Sequence, residues 1–472
     1  QTAMGTHRKE SWRFLPSHKW RWVPTPRFYG SQGKCMSYRE EQLSNVDDYG
    51  YPLAPGASWQ RRKRIIHTSR SIVGKIIYLL MSIIGGFLWL GRRGKRYPPL
   101  TPATFHPRRI LVIRLDLIGD LVLSLTVVRA LKRTYPEAEI DLLALPASAR
   151  VASYDPNLSE IITYDPNIWR RPKALLQPKN WREAISLRRR LRARHYDLAV
   201  SVYANWAAVL AVLSGAPRRV GYGREGYPGF MTDSLPGGIP GRWRHWAPLD
   251  NKHEVDYCLV LAQAAGATLT PEDRIPRLYV DEKTRQETEQ LLLQHGLQPH
   301  KPLIACHINS NNGQSKRWPI PHWATLIDHL IRQGGAQVVL TGAPVDMPQI
   351  EQVTRRMREQ AINLAGKTSL TQLAALLQCA DLLISGDSGP LHMGVACGTP
   401  IIGIYGPTNP SLGGPVSPDA TVLRSGIWCS PCYNAKDTTA DCRYSTTQCM
   451  KNILPTQVFE IAQTKLKSNV NI

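Results

Sequence analysis

The chain is short of acidic side chains, of phenylalanine and of long apolar runs. Its 472 residues hold 36 Asp and Glu against 59 Lys and Arg, with only 6 Phe. A single apolar run approaches membrane length, which excludes a polytopic membrane protein, and apolar and charged shares of 43% and 20% exclude wholesale disorder. Nine cysteines in so long a chain exclude a small disulfide-stapled scaffold. What remains is a globular protein with room for two or three domains, because single cores rarely grow past about 250–300 residues.

The shortage of acid is local. Residues 1–109 contain 20 basic and 5 acidic side chains, so +15 of the formal charge of +23 sits there. A polybasic segment points to an anionic partner, either nucleic acid or an anionic membrane surface. Its neighbours favour the membrane. Residues 72–90 (IVGKIIYLLMSIIGGFLWL) carry Lys75 as their only charge, with Arg61-Arg62-Lys63-Arg64 before them and Arg92, Arg93, Lys95 and Arg96 after. As a helix this run would rise about 28 Å at ~1.5 Å per residue, marginal against a hydrocarbon core of about 30 Å. Basic clusters at both ends also give none of the one-sided bias that orients a spanning helix. Residues 61–100 are therefore expected to be a membrane-associated helix with basic flanks, held on the cytoplasmic face of the inner membrane as a peripheral or monotopic anchor. The run lies too far along the chain for a signal peptide. Residues 1–60 set Trp12, Trp20, Trp22 and Trp59 among Gly, Pro and Arg without a period of 2 or 3.6, and read as a poorly ordered tail. No recognition motif accompanies this basic and aromatic mix, so nucleic acid is not expected as a partner.

From residue 109 onward apolar strands alternate with amphipathic helices. RILVIR (109–114) reads as a buried strand, LDLIGD (115–120) as a loop, 121–134 as a helix and 140–145 as the next strand, which makes a βαβ unit. A later strand is read at 197–202. A second series begins with the strand 303–307 and continues through a helix at 321–332 and a strand at 337–340. It closes with a helix at 370–378, a strand at 381–385, a helix from Pro390 and a strand at 400–405. Two doubly wound α/β domains are expected, one at 108–275 and one at 300–455, followed by a C-terminal helix and tail at 456–472. Ligands of such sheets bind beyond the carboxyl ends of the strands, in the cleft between the domains.

Four turns lie at that cleft. In the first, Asp120 ends a strand-to-helix loop with Gly119; an Asp there serves as a base or caps the helix. This turn lacks the glycine pattern of dinucleotide sites. The second, Ser385-Gly386-Asp387-Ser388-Gly389-Pro390-Leu391-His392, joins a strand to a helix whose open amides and positive dipole end suit a diphosphate. An ordinary βα turn is the alternative. The third is the polar loop with Lys316, a point charge for phosphate or a solvated lysine. The fourth places Asp346 just past a strand, where a carboxylate accepts ribose hydroxyls.

In this order these stretches resemble glycosyltransferase family 9, the heptosyltransferase family. The carrying motifs are RILVIRLDLIGDLVLSLTVVRAL, SGAPRRVGY, SKRWP, TGAP, INLAGKTSLTQLAALLQCADLLISGDSGPLHMGVACGTPIIGIYGPTNP and CSPCYNAKDTTADC, within residues 108–465. The resemblance implies two Rossmann-like domains in the GT-B arrangement and an inverting transfer of a heptose or related sugar. The donor would be an ADP-heptose-like nucleotide-sugar, the acceptor a lipopolysaccharide core or another envelope glycolipid or polysaccharide, and no metal would be required. It makes Asp120 the general base, Lys316 a contact of the donor phosphates and Asp346 a contact of the ribose. Asp387, Ser388 and Gly389 with His392 become the donor-binding turn. Where many members carry a Pro-Gly turn before the lysine, this chain has Asn309-Ser310-Asn311-Asn312-Gly313.

Two clusters stand apart. Arg188, Arg189 and Arg192, in REAISLRRRLRAR (182–194), are candidates for binding acidic groups of the acceptor, with a solvated basic face as the alternative. Cys429, Cys432, Cys442 and Cys449 are spaced C-x2-C-x9-C-x6-C, near structural zinc spacing, with reduced thiols or disulfides as the other readings. A noncatalytic sugar-nucleotide-binding protein of the same fold is the competing function, against which Asp120 argues.

Overall fold

In a computed structural model, residues 79–91, 97–202, 205–223, 228–236, 252–310, 314–433, 442 and 444–470 are described. The expected tail at 1–60 and the first part of the expected anchor, through residue 78, lie outside them, as do the basic residues 92–96.

Residues 79–90 form helix α1. The N-terminal domain then runs β1 (Arg109–Arg114), α2 (Ile118–Thr134), β2 (Glu139–Ala144), β3 (Glu160–Thr163), α3 (Pro178–Ala193), β4 (Leu198–Ser201), α4 (Asn205–Leu213), β5 (Arg218–Tyr222), β6 (Asp233–Leu235) and α5 (Glu254–Ala264). The C-terminal domain follows as α6 (Glu282–Gln294), β7 (Leu303–His307), α7 (Ile320–Arg332), β8 (Gln337–Thr341), α8 (Met347–Thr354), β9 (Ile362–Asn363), α9 (Leu370–Cys379), β10 (Leu382–Gly386), α10 (Gly389–Cys397), β11 (Ile401–Ile404), β12 (Ala420–Leu423) and α11 (Pro455–Val470).

Each domain is one six-stranded sheet, ordered β3-β2-β1-β4-β5-β6 and β12-β11-β10-β7-β8-β9, and every ladder is parallel. Parallel strands are covered on both faces, so β1, β7 and β10 read as unbroken apolar runs and are almost wholly buried. Both strand orders are the doubly wound Rossmann order, reversing beside β1 in one domain and beside β7 in the other. This is the paired-domain GT-B architecture.

In the N-terminal sheet the alternate residues of β1 part the two faces. Ile110 and Val112 belong to a core that includes α2 and α5 and continues into α9 and α10 of the other domain. Leu111 and Ile113 face the opposite way, onto a second core built with α3 and α4, against which Met81 and Leu88 of α1 also pack. One face of the N-terminal sheet therefore meets the partner domain and the other looks outward. No helix among the described residues is long and apolar enough to cross a membrane.

Candidate active site

The site begins with Arg114. It closes the apolar strand β1, and its side chain is 1% exposed, a position a guanidinium occupies only when its charge is matched. Three carboxylates match it: Glu254 at 2.9 Å, and Asp116 and Asp120 at 3.5 Å each. Burial alone would lower the guanidinium's proton affinity, but Glu254, Asp116 and Asp120 together raise it, so the charge is permanent. Glu254 is buried at the start of α5, where burial raises its pKa and Arg114 opposes the rise.

Asp120 lies in the first turn of α2, whose N-cap is Leu117 with no side-chain cap. It is not the helix cap; its carboxylate stands toward Arg114 with 41% of the side chain open to solvent. Loss of hydration among the surrounding protein, together with the charges of Asp116, Glu254 and Asp387, raises its pKa above the ordinary carboxylate range, with Arg114 opposing. A carboxylate whose proton affinity is lifted toward neutrality is a better base than a free one.

The C-terminal domain meets this turn directly. A Cβ on Gly119 would stand 2.8 Å from the His392 ring and 3.4 Å from the Gly389 Cα, and one on Gly389 would stand 3.1 Å from Ile118. Only glycines let the N-termini of α2 and α10 approach this closely. Both helices aim open amides and positive dipole ends at the junction. On α10 the N-cap is Ser388, which makes no side-chain cap bond and shares a hydrogen bond of 2.9 Å with Ser385 instead.

Around that helix end Lys316 Nζ pairs with Asp387 Oδ2 at 2.7 Å and lies 4.5 Å from the ring centroid of Tyr433. The lysine is placed by its neighbour Trp318, which is 1% exposed and donates its indole N–H to the Ile453 carbonyl. Ser310 Oγ donates to the Asp387 carbonyl at 2.6 Å, which ties the chain after β7 to the β10–α10 turn by a side chain. His392 Nδ1, Tyr405 OH and Thr408 Oγ1 are buried and lack partners among the described residues. Burial keeps the His392 imidazole neutral, and burial together with the Asp387 charge keeps Tyr405 a phenol and so a donor. Buried polar atoms of this kind call for a partner, either water or a bound molecule.

The remaining residues divide differently from the sequence expectation. Asp346 is 5% exposed, and both of its oxygens accept protein hydrogen bonds, one from the Ala343 amide at 2.7 Å and one from the Asn309 side chain. It braces two donor-side loops instead of presenting a free carboxylate. Arg188, Arg189 and Arg192 are not at the mouth. They are exposed on the last turns of α3, and the next Arg, Arg194, bonds Asp141 and Glu139 at the amino end of β2. That end lies one strand length, about 20 Å, from the carboxyl ends where Asp120 sits. The four cysteines carry no disulfide, and no group of three or more potential ligands among the described residues is arranged to hold a metal ion. Arg114, Glu254, Ser310, Tyr405, Thr408 and Tyr433 were not singled out by motif; only Arg114, a charge ending a wholly apolar strand, carries a local signal.

The profile of glycosyltransferase family 9 (heptosyltransferase) matches residues 184–442. Lipopolysaccharide heptosyltransferase 2 of Salmonella typhimurium (strain LT2) is 30% identical over 331 residues, covering 67% of this chain and 88% of that relative. Its counterpart from Escherichia coli (strain K12) is 29% identical with the same coverage. Among solved structures, a family 9 glycosyl transferase from Veillonella parvula aligns with a TM-score of 0.62 at 25% identity, over 76% of this chain and 97% of that one. E. coli ADP-heptose lps heptosyltransferase II aligns with a TM-score of 0.58 at 27% identity, over 76% and 99%.

Proposed function

The chain belongs to glycosyltransferase family 9, and from that premise we propose that it transfers a heptose from a nucleotide-activated donor, ADP-heptose, onto a lipopolysaccharide-type acceptor at a membrane surface. The observation that carries the reading is the meeting of Asp120 with the N-terminus of α10 across the glycine contact Gly119–Gly389. A base in one domain and a helix end suited to a diphosphate in the other are the two groups that transfer from a nucleotide-sugar to an acceptor hydroxyl requires.

In this reading Asp120 takes the proton of the acceptor hydroxyl as its oxygen attacks the anomeric carbon from the face opposite the leaving group, which inverts that centre. The diphosphate departs toward Lys316 and the amides of α10, which stabilise its charge. As the phosphates draw Lys316 away, Asp387 is released to accept hydroxyls of the sugar. The buried donors Tyr405 and Thr408 complete the donor's hydrogen bonds. A noncatalytic nucleotide-sugar-binding role is not favoured, because it leaves the raised proton affinity of Asp120 without a use.

The test is release of ADP from ADP-heptose by the full chain, with and without lipopolysaccharide lacking its heptoses. Release that requires the acceptor and falls about 10²–10⁴-fold in Asp120→Asn supports the reading. Turnover in Asp120→Asn equal to the parent would overturn the role of Asp120. Failure of ADP-heptose where another nucleotide-sugar serves would overturn the donor.

A further inference from the structure

We infer that the outward face of the N-terminal domain, formed by α1 and α3, is a docking surface for an anionic lipid leaflet. This deepens the membrane-surface reading above but draws on different residues from the reaction.

Helix α1 contains no charged residue. It is seated on the domain through Gly85, whose backbone lies so close to Gly229 that no side chain fits between them, and through Met81 and Leu88. Everything else large on it is turned outward: Leu79, Leu80, Ile83, Ile84, Phe87, Trp89 and Leu90 are 47–69% exposed. Its twelve described residues span about 18 Å and are held along the protein surface by that seating. On the same side of the sheet, α3 buries Leu187 and Leu191 and shows its other face to solvent. Leu175, Leu176, Trp181 and Ile185 are 47–84% exposed there. Of the twenty large apolar side chains exposed among the described residues, eleven belong to α1 and to 175–185. The rest are scattered over both domains, so the concentration on one face needs an occupant.

Charge selects that occupant. Exposed Arg171, Lys173, Lys179, Arg182, Arg188 and Arg189 accompany the apolar residues of the α3 region, whose exposed acid, Glu183, pairs with Lys179 at 3.8 Å. Apolar side chains ringed by cations, with scarcely any acid, match the headgroup layer of an anionic leaflet. A second copy of the chain would bring the same positive charge to the contact and be repelled by it. The arginines that face away from the cleft thus gain a role: they lie on the same outward helix as Trp181 and Ile185. The docked face belongs to the acceptor-side domain, and Leu175 and Leu176 follow the carboxyl end of β3, so docking sets the cleft mouth beside the leaflet that carries a lipid-linked acceptor.

The test is partition of the full chain onto vesicles, without donor or acceptor, so that it stands or falls separately from the transferase reading. Vesicles of phosphatidylethanolamine with about one quarter phosphatidylglycerol are compared with pure phosphatidylcholine, in low and high salt. Binding that requires the anionic lipid, weakens with salt, and drops about tenfold or more in Phe87→Glu and in Trp181→Glu supports the surface. The pair Arg188→Glu and Arg189→Glu, at fully exposed positions where folding is not at stake, gives a similar loss, while Leu293→Glu on α6 gives none. Parent-like binding by the folded Phe87→Glu and Trp181→Glu proteins overturns the inference. So does a dimer in solution that Phe87→Glu dissociates while vesicle binding is unchanged.

Discussion

Arg114 is the residue on which the acceptor half of the site depends, and it shows where sequence reading stops. A guanidinium at the end of RILVIR is visible in the sequence, but its three partners come from Asp116, Asp120 and, about 140 residues later, Glu254. Such a cluster is created by the fold, so only the Asp in the turn could be marked beforehand. Arg114→Met should remove the charge that holds Asp120 ionised. With Asp120 as the proposed base, activity needs its carboxylate form and rises with pH, so the ascending limb of kcat/KM should move to higher pH in the variant. The same change leaves Glu254 buried without its partner and should cost roughly 3–5 kcal/mol in urea unfolding. Gly119 makes a sterically cleaner case. Gly119→Ala puts a methyl 2.8 Å from His392, which must push α10 away from Asp120. Turnover should fall about 10²-fold with donor affinity little changed, and the added change His392→Ala should recover part of it.

At the scale of elements, the legible parts were those whose burial is complete. β1 and β7 coincide with their apolar runs, and β2, β4, β8, β10 and β11 differ by a residue or so at their ends. β5 escaped because its first two residues are arginines, made acceptable in the sheet by Asp233 at 2.6 Å and by the Phe230 carbonyl at 2.7 Å. The edge strands β3, β6, β9 and β12 escaped because they are short and half covered, so they carry little of the apolar signal. The places of the site turns are legible because strand-to-helix junctions have fixed geometry; the hydrogen bonds that Asp346 already makes and the end of α3 that carries Arg188, Arg189 and Arg192 are not, because both depend on the fold. Trp318 connects element to site: it is clamped between α7 and the Ile453 carbonyl and delivers Lys316 two residues earlier. Trp318→Ala should destabilise the protein by roughly 3–5 kcal/mol and raise the donor KM together with it, as chemical unfolding and initial rates would show.

Across the whole molecule the domains are joined by more than the glycine contact. His253, the N-cap of α5, accepts the Val255 amide through Nδ1 and reaches the Gly414 carbonyl of the other domain through Nε2 at 3.0 Å. An amide only donates and a carbonyl only accepts, so the ring is the neutral tautomer with its proton on Nε2. Burial, helped by Arg274, pushes its pKa down to about 4. A folded pKa below the unfolded value of about 6.5 gives stability that is complete above pH 6.5 and is lost progressively as pH falls toward 4, by about 3 kcal/mol in all. Thermal unfolding between pH 7 and pH 4 should therefore show a fall that is shallower in His253→Gln.

The abutting helix ends have a consequence for proton traffic. The charge of Asp387 already reaches Asp120 across the junction and raises its hold on a proton. A nucleoside diphosphate arriving at α10 brings further negative charge to the same neighbourhood, so loading one domain should draw protons from solution onto the other. Calorimetric titration of ADP in two buffers of different ionisation enthalpy, near neutral pH, should then show fractional proton uptake in the parent protein and less of it in Asp120→Asn. By the same linkage, alkaline solution loosens the nucleotide and acid tightens it, which makes product escape easiest under the conditions in which the base is ionised.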